Sequence, residues 1–155
     1  ERKKFNLLEN DILVIRSNGS LGLVGRSALV KPRDTEHLFA GYLIRLRPIK
    51  SLVSSAYLQL SLETYDVRKQ IHRLAKSSSG QNNINAKEIC RLEVPYYSLE
   101  EQNRIVQEYR DLFSSRIFRT ERSLETGEKN SHYLRQSILK QAFLGQLLPK
   151  LDHLS

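Results

Sequence analysis

The chain has 155 residues, 39% of them hydrophobic and 27% charged, which is too apolar for a disordered polymer and sufficient for one domain or for a small lobe with an extended appendage. Its apolar runs fall far short of the roughly 20 residues that span a bilayer, Glu1 to Lys4 does not open a signal peptide, and the single cysteine, Cys90, excludes an internal disulfide and a cysteine-built zinc site. A cytoplasmic location is therefore the default expectation. The net charge is +8, and residues 1–97 hold 16 Lys and Arg against 9 Asp and Glu, a net of +7, with 9 against 8 in the remainder. An excess concentrated on one part of the chain is the footprint of a phosphate-binding surface, although many soluble proteins are basic for solubility alone.

The first predicted element is a buried strand at Ile12 to Ile15, stopped by the turn-forming run Ser17-Asn18-Gly19-Ser20. A second strand over Leu21 to Val30 contains Gly22 and Gly25, which suggests a bulge or a close backbone approach, and the two together read as a hairpin. Leu38 to Arg47 alternates in part and ends at Pro48, predicting a third strand with Arg45 and Arg47 pointing outward. From Ser54 to Ala75 the period changes and predicts one helix. Lys76 to Asn83 is dense in serine and amide side chains and reads as a loop, and Ile84 to Val94 reads as a short helical turn leading into a strand closed by Pro95.

Ser98 followed by Glu101 fits a capping box and predicts a helix start. Beyond it Leu99, Ile105, Val106, Tyr109, Leu112 and Phe113 recur at helical spacing, and the pattern returns at Leu134, Ile138, Leu139 and Phe143. With no proline between Pro95 and Pro149, a helix to Phe143 would be about 65 to 70 Å long. A helical hairpin broken near Gly127 fits the same pattern. In either form the apolar stripe needs a helical partner, from this chain or from another. The expected fold class is α+β: a small, mixed, β-rich lobe over residues 1–97, a spacer and dimerisation region over 98–149 that is a long helix or helical hairpin pairing as an antiparallel coiled coil, and a tail over 150–155.

The strings RSNGS (Arg16 to Ser20) with LVGR (Leu23 to Arg26), SSSGQNNIN (Ser77 to Asn85), and LEEQNRIV (Leu99 to Val106) with SILKQAFLGQLLP (Ser137 to Pro149) together resemble the specificity subunit of type I restriction-modification enzymes. Phe39 to Arg45 looks like that family's central strand. The resemblance implies that the first part is the later portion of a target recognition domain and the rest a helical spacer, so the chain reads as a fragment or half of a subunit. It implies sequence-specific recognition of double-stranded DNA without catalysis. The spacer would dock modification (methyltransferase) subunits and, through the complex, a restriction subunit. S-adenosylmethionine, ATP and Mg would be bound by those partners and no cofactor by this chain. A half-subunit could restore a two-lobed reader by homodimerising through its spacer.

Residue types suited to DNA lie in several places. Arg16, Ser17, Asn18 and Ser20 put a guanidinium and three hydrogen-bonding groups on one turn. Lys76, Ser78, Ser79, Gln81, Asn82 and Asn83 form a second candidate loop, whose likeness to a string shared by family members reading different targets favours backbone contact or loop architecture over base choice. Arg26, Arg45 and Arg47 are further candidates, with Lys31 and Arg33. An enzyme finds less support: Asp11, Asp34, Glu36 and Glu88 lack a recognised metal-ligand spacing, the Gly22 and Gly25 pair lies between strand-like stretches rather than in a cofactor loop, the four histidines are scattered, and Cys90 reads as a small buried residue. The alternative from another class is a helical protein-protein adaptor that uses its basic surface only for solubility.

Overall fold

A computed structural model of the chain describes residues 5–120, 133 and 135–141. Its strands are β1 (Ile12–Ile15), β2 (Ser17–Asn18), β3 (Ser27–Leu29), β4 (Leu43–Leu46), β5 (Lys76–Ser78) and β6 (Gln81–Asn83), and its helices α1 (Ser55–Leu62), α2 (Tyr65–Leu74), α3 (Ala86–Ile89) and α4 (Leu99–Thr120). Four consecutive aliphatic residues require a central strand, and β1 sits in the middle of an antiparallel sheet of order β3-β1-β4. Ile12 and Val14 are fully buried there. They pack with Val24, Leu62, Val67, Ile71, Ile84 and Ile89 into the first core.

The segment expected to be one strand, Leu21 to Val30, divides instead into a tight turn over residues 21–25 and the short β3. Gly25 causes the division. Its φ is +77°, and a Cβ at this position would lie 2.6 Å from Ile71 Cγ2 of α2. The close approach anticipated from its glycines is therefore a contact between turn and helix. Phe39 to Arg45 contributes β4, an edge strand of this sheet among the described residues, which corrects the expectation of a central strand. The centre is occupied by β1, with Ile12 and Val14 buried on one face and Leu13 and Ile15 half-buried on the other.

The single helix expected from Ser54 to Ala75 is two. Glu63 caps α1 and Thr64 is extended (ψ 152°), with its hydroxyl donating to the Ser61 carbonyl at 2.8 Å. The Glu63 carboxylate is drawn to β3, where it accepts from the Ser27 amide and hydroxyl, each at 3.1 Å, and pairs with Arg26. The chain can therefore turn, and α1 presents two apolar sides. Leu62 faces the first core, while Tyr57 and Leu60 join Ile105, Val106 and Leu139 in a second. A helix apolar on two sides is one buried between layers.

The segment Lys76 to Asn83 is a hairpin rather than a loop. β5 pairs with β6 in the register Ser78↔Gln81, leaving Ser79 (φ 50°) and Gly80 (φ 76°) as the two connecting residues. Positive φ at both positions matches the twist of a two-residue hairpin turn. The strand expected before Pro95 does not form: the short helix α3 is followed by irregular chain. Cys90 caps α3 and is exposed rather than buried.

At α4 the Ser98 hydroxyl accepts from the Glu101 amide at 3.2 Å, whereas the Glu101 carboxylate pairs with Arg104 on the next turn. Residues 135–141 are helical and return against α4, burying Ile138 and Leu139. Leu139 shares a core with Val106. In one straight helix these residues would be about 50 Å apart, so the continuous rod is excluded and the chain folds back. The expected break near Gly127, and Leu134 and Phe143, lie outside the described residues. No helix among the described residues is long and apolar enough to cross a membrane.

Candidate nucleic-acid interface

The two polar segments singled out in the sequence, Arg16 to Ser20 and Lys76 to Asn83, are parts of one structure. β2 pairs with β6, Ser17 opposite Asn83 and Asn18 opposite Asn82, giving a second sheet of order β2-β6-β5. Arg16 joins the two sheets through its backbone: its amide donates to the Tyr42 carbonyl and its carbonyl accepts from the Ile84 amide, both at 2.9 Å. Buried Ile84 then anchors the polar sheet to the first core.

This sheet has almost no apolar surface to bury, and its own side chains hold it. Ser17 Oγ donates to Gln81 Oε1 at 3.0 Å, Asn82 Nδ2 to the Gly19 carbonyl at 2.9 Å, and Asn83 Nδ2 to the Gln81 carbonyl at 3.3 Å. Asn18 Oδ1 accepts from the Ser20 amide at 2.8 Å, closing the turn. The amides that resemble adenine readers are thus engaged in architecture. Lys76, Ser77, Ser78 and Ser79 are exposed along the outer strand and tip, as is Arg16. Lys76 Nζ lies 3.8 Å from Glu88, the acid that completes the capping box of α3 with Asn85.

The candidate arginines differ from one another in their surroundings. Arg47 makes a two-pronged contact to Asp11, Nε to Oδ1 at 2.8 Å and Nη2 to Oδ2 at 2.7 Å. Burial pushes the Asp11 carboxyl up, but the bonds from Arg47 and from the Leu8 amide outweigh it and hold the group below the usual carboxylate range. Arg45 donates to the Asn6 carbonyl and lies over the Phe39 ring, 5.4 Å from its centroid. Arg26 pairs with Glu63 beside β3. Lys31 and Arg33 are exposed around the 3-10 turn Pro32–Asp34. Among the described residues no group of three or more His, Cys, Asp or Glu converges to hold a metal ion.

The family model described as "Type I restriction modification DNA specificity domain" matches residues 1–125. The chain belongs to that family. It is 33% identical over 147 residues to the StySPI type I restriction enzyme specificity subunit of Salmonella potsdam, and 30% identical over 148 residues to the EcoKI specificity subunit of Escherichia coli K12. Each alignment covers 95% of this chain and 32% of the relative, so the chain spans about a third of the length of these curated relatives. Its fold resembles the crystal structure of the HsdS subunit from Thermoanaerobacter tengcongensis, with a TM-score of 0.62, 17% identity, and coverage of 96% of this chain and 36% of that one.

Within this specificity domain the residue that sequence reasoning missed is Gln102, in the string LEEQNRIV. It is completely buried. Its Oε1 accepts from the Ser54 amide at 2.8 Å, and its Nε2 donates to the Tyr97 and Leu52 carbonyls at 2.8 and 3.3 Å. One amide thereby caps α1 and ties the lobe to the first turn of α4. Its signal was a polar residue on the Leu99, Ile105, Val106 face, where an apolar one would be expected. Beside it Tyr57 donates to the Pro95 carbonyl at 2.7 Å and meets Tyr97 edge-on at 6.1 Å. Burial, with a smaller push from Tyr97, raises the Tyr57 hydroxyl to about 12.

The spacer candidates divide by depth. Ile105 and Val106 are buried against α1 and residue 139; Tyr109 stacks on Phe113 at 5.8 Å, and Arg135 lies over the Phe113 ring at 5.3 Å. Leu112 is half-buried and Leu99 exposed. The stripe therefore finds its cover first within this chain.

Proposed function

We propose that this chain is a non-catalytic DNA-reading part of a type I specificity subunit. The match of a DNA specificity domain family across residues 1–125 carries the reading. The basic excess of residues 1–97 and the exposed polar sheet support it on physical grounds. Because Ser17 and Asn83 spend hydrogen bonds on Gln81, and Asn82 and Asn18 spend theirs on the backbone of Gly19 and Ser20, the sheet acts as a shaped polar edge. Arg16, Lys76, Ser78 and Ser79 offer it to phosphates, and Ser20 supports the turn. Arg26, Arg45 and Arg47 are held by internal partners, so they shape the lobe's field more than they reach for bases. Base selection then falls to other side chains of the assembled reader.

The spacer, α4 with residues 135–141, would hold this lobe at a set distance from a second one and dock the modification subunits, which carry S-adenosylmethionine; the restriction subunit with its ATP and Mg joins through that complex. A second copy of this chain would supply the second lobe. Fluorescence anisotropy on labelled duplexes tests the reading. Affinity should fall steeply between about 50 and 200 mM salt, and selection from a randomised duplex pool should return a preferred sequence. Loss of all binding at low salt would instead favour the adaptor reading. Sedimentation decides the dimer, and a monomer at high micromolar concentration rules it out.

A further inference from the structure

Tyr65, Lys69, His72 and Arg73 lie on the exposed side of α2, and Arg68 lies at its border with the side that Val67 and Ile71 bury. They line a cleft of about 520 Å³ together with Gly22, Arg26 and Gln136. At its floor Arg68 is only 6% exposed. Its Nη2 donates to the Gly22 carbonyl at 3.0 Å and lies 3.3 Å from His72 Nε2, while Nη1 is buried with no hydrogen-bond partner. Glu63, the acid whose field reaches it, is already engaged by Arg26, Ser27 Oγ and the Ser27 amide. Burial, then Arg26, depress the basicity of Arg68, and burial, then Arg68 and Arg26, depress that of His72. A buried guanidinium without a carboxylate of its own, ringed by further cations, is uncompensated charge awaiting an anion.

We propose that this cleft binds a phosphate group, and that in the working molecule the phosphate belongs to the DNA backbone; the second clause rests on the DNA-reading function above. A guanidinium fork suits phosphate oxygens, Lys69 and Arg73 add charge at the rim, and Gln136 from the returning helix closes one side. The contact positions the lobe on duplex at the point where the lobe meets the spacer. It reads no base.

The test uses the 155-residue chain, inorganic phosphate and duplex DNA. The principal variant is Lys69→Gln with Arg73→Gln, two exposed substitutions. Arg68→Lys is the floor variant, with thermal unfolding as the check of folding. Lys87→Gln with Arg91→Gln, outside the cleft, controls for the loss of two charges. Phosphate, but not chloride at equal ionic strength, should shift the His72 ring resonances saturably, and the principal variant should weaken this. Its duplex affinity should fall about five-fold, equally for all sequences, and the salt slope should drop by about one relative to the control. A phosphate shift with unchanged duplex affinity would keep the anion site and overturn its assignment to DNA. No His72 shift, with the wild-type chain binding duplex and the variant's slope equal to the control's, would overturn the cleft and leave the DNA reading standing. Failure of the wild-type chain to bind any duplex would overturn the DNA reading and the backbone assignment, and the phosphate arm would still decide the cleft.

Discussion

The described residues form two three-stranded antiparallel sheets built on different physics. The sheet β3-β1-β4 is held by aliphatic burial, with Ile12 and Val14 fully enclosed, and its strands are set by the alternation of side chains between faces. The sheet β2-β6-β5 has only polar side chains and is held by amide and hydroxyl bonds at its exposed side. One sheet supplies stability and the other a surface of defined shape. Hydrogen bonds that compete with water stabilise modestly, so the polar sheet depends on its attachment through Ile84 to the apolar one.

Two glycines with nearly the same backbone, Gly25 (φ +77°) in the turn between the sheets and Gly80 (φ +76°) at the polar hairpin tip, isolate this difference. Gly25→Ala should cost about 2–5 kcal/mol, from left-handed strain plus overpacking against Ile71. Gly80→Ala meets nothing within 4 Å and should cost about 1–2 kcal/mol from strain alone. Urea denaturation measures both, and equal losses would show that Ile71 does not press on Gly25. Next in size, Gln102→Leu removes the partner of the Ser54 amide and of two carbonyls where α4 meets α1 and should cost about 2–3 kcal/mol. A loss no greater than that of an exposed substitution would show that the junction is not held there.

The same junction should respond to alkali. Tyr57 titrates at about 12 in the folded chain, above the ordinary value of about 10. Its folded pKa is raised, so the contribution is complete below pH ~10 and is lost as pH rises toward the folded value. Burial also raises the Tyr109 hydroxyl, so ultraviolet titration should show late-ionising tyrosines, and the loss of one late component in Tyr57→Phe assigns it. The smallest effect is expected for Asn82→Ala, which removes the bond to the Gly19 carbonyl at a half-exposed site and should cost about 0.5–1.5 kcal/mol. If Asn82 serves architecture, duplex affinity should fall alike for all sequences. A change of preferred sequence in a repeated selection would instead make it a base reader.

Legibility in the sequence followed the range of the interactions. β1, the Ser98 helix start and the apolar spacing of α4 depend on neighbours within a few positions, and each was readable. The run Ser17 to Ser20, expected as a turn, instead forms the strand β2 at Ser17–Asn18 with only a bend at residues 19–20, because it pairs with distant β6. The division of α1 from α2 was not, because Glu63 leaves the helix for Ser27 and Arg26, more than 30 positions away. Lys76 to Asn83 read as a loop since nothing local distinguishes polar strands from a polar loop; pairing with β2 makes the hairpin. Candidate arginines were recognisable as types, but their engagement with Asp11, Asn6 and Glu63 was not.

By itself, then, the sequence determined the charge asymmetry, the aliphatic strand, the polar strings that mark the family and the helical period of α4, all properties of composition and short spacing. Tertiary structure alone decided that the two polar strings form one sheet, that the apolar stripe of α4 is covered by α1 and by the chain's own return at Leu139, and that Gln102 is a structural joint. It also decided that Arg68 lies buried beneath a ring of cations. Each of these depends on which distant surfaces meet, and that is set by the summed burial of the whole chain rather than by any segment's preference.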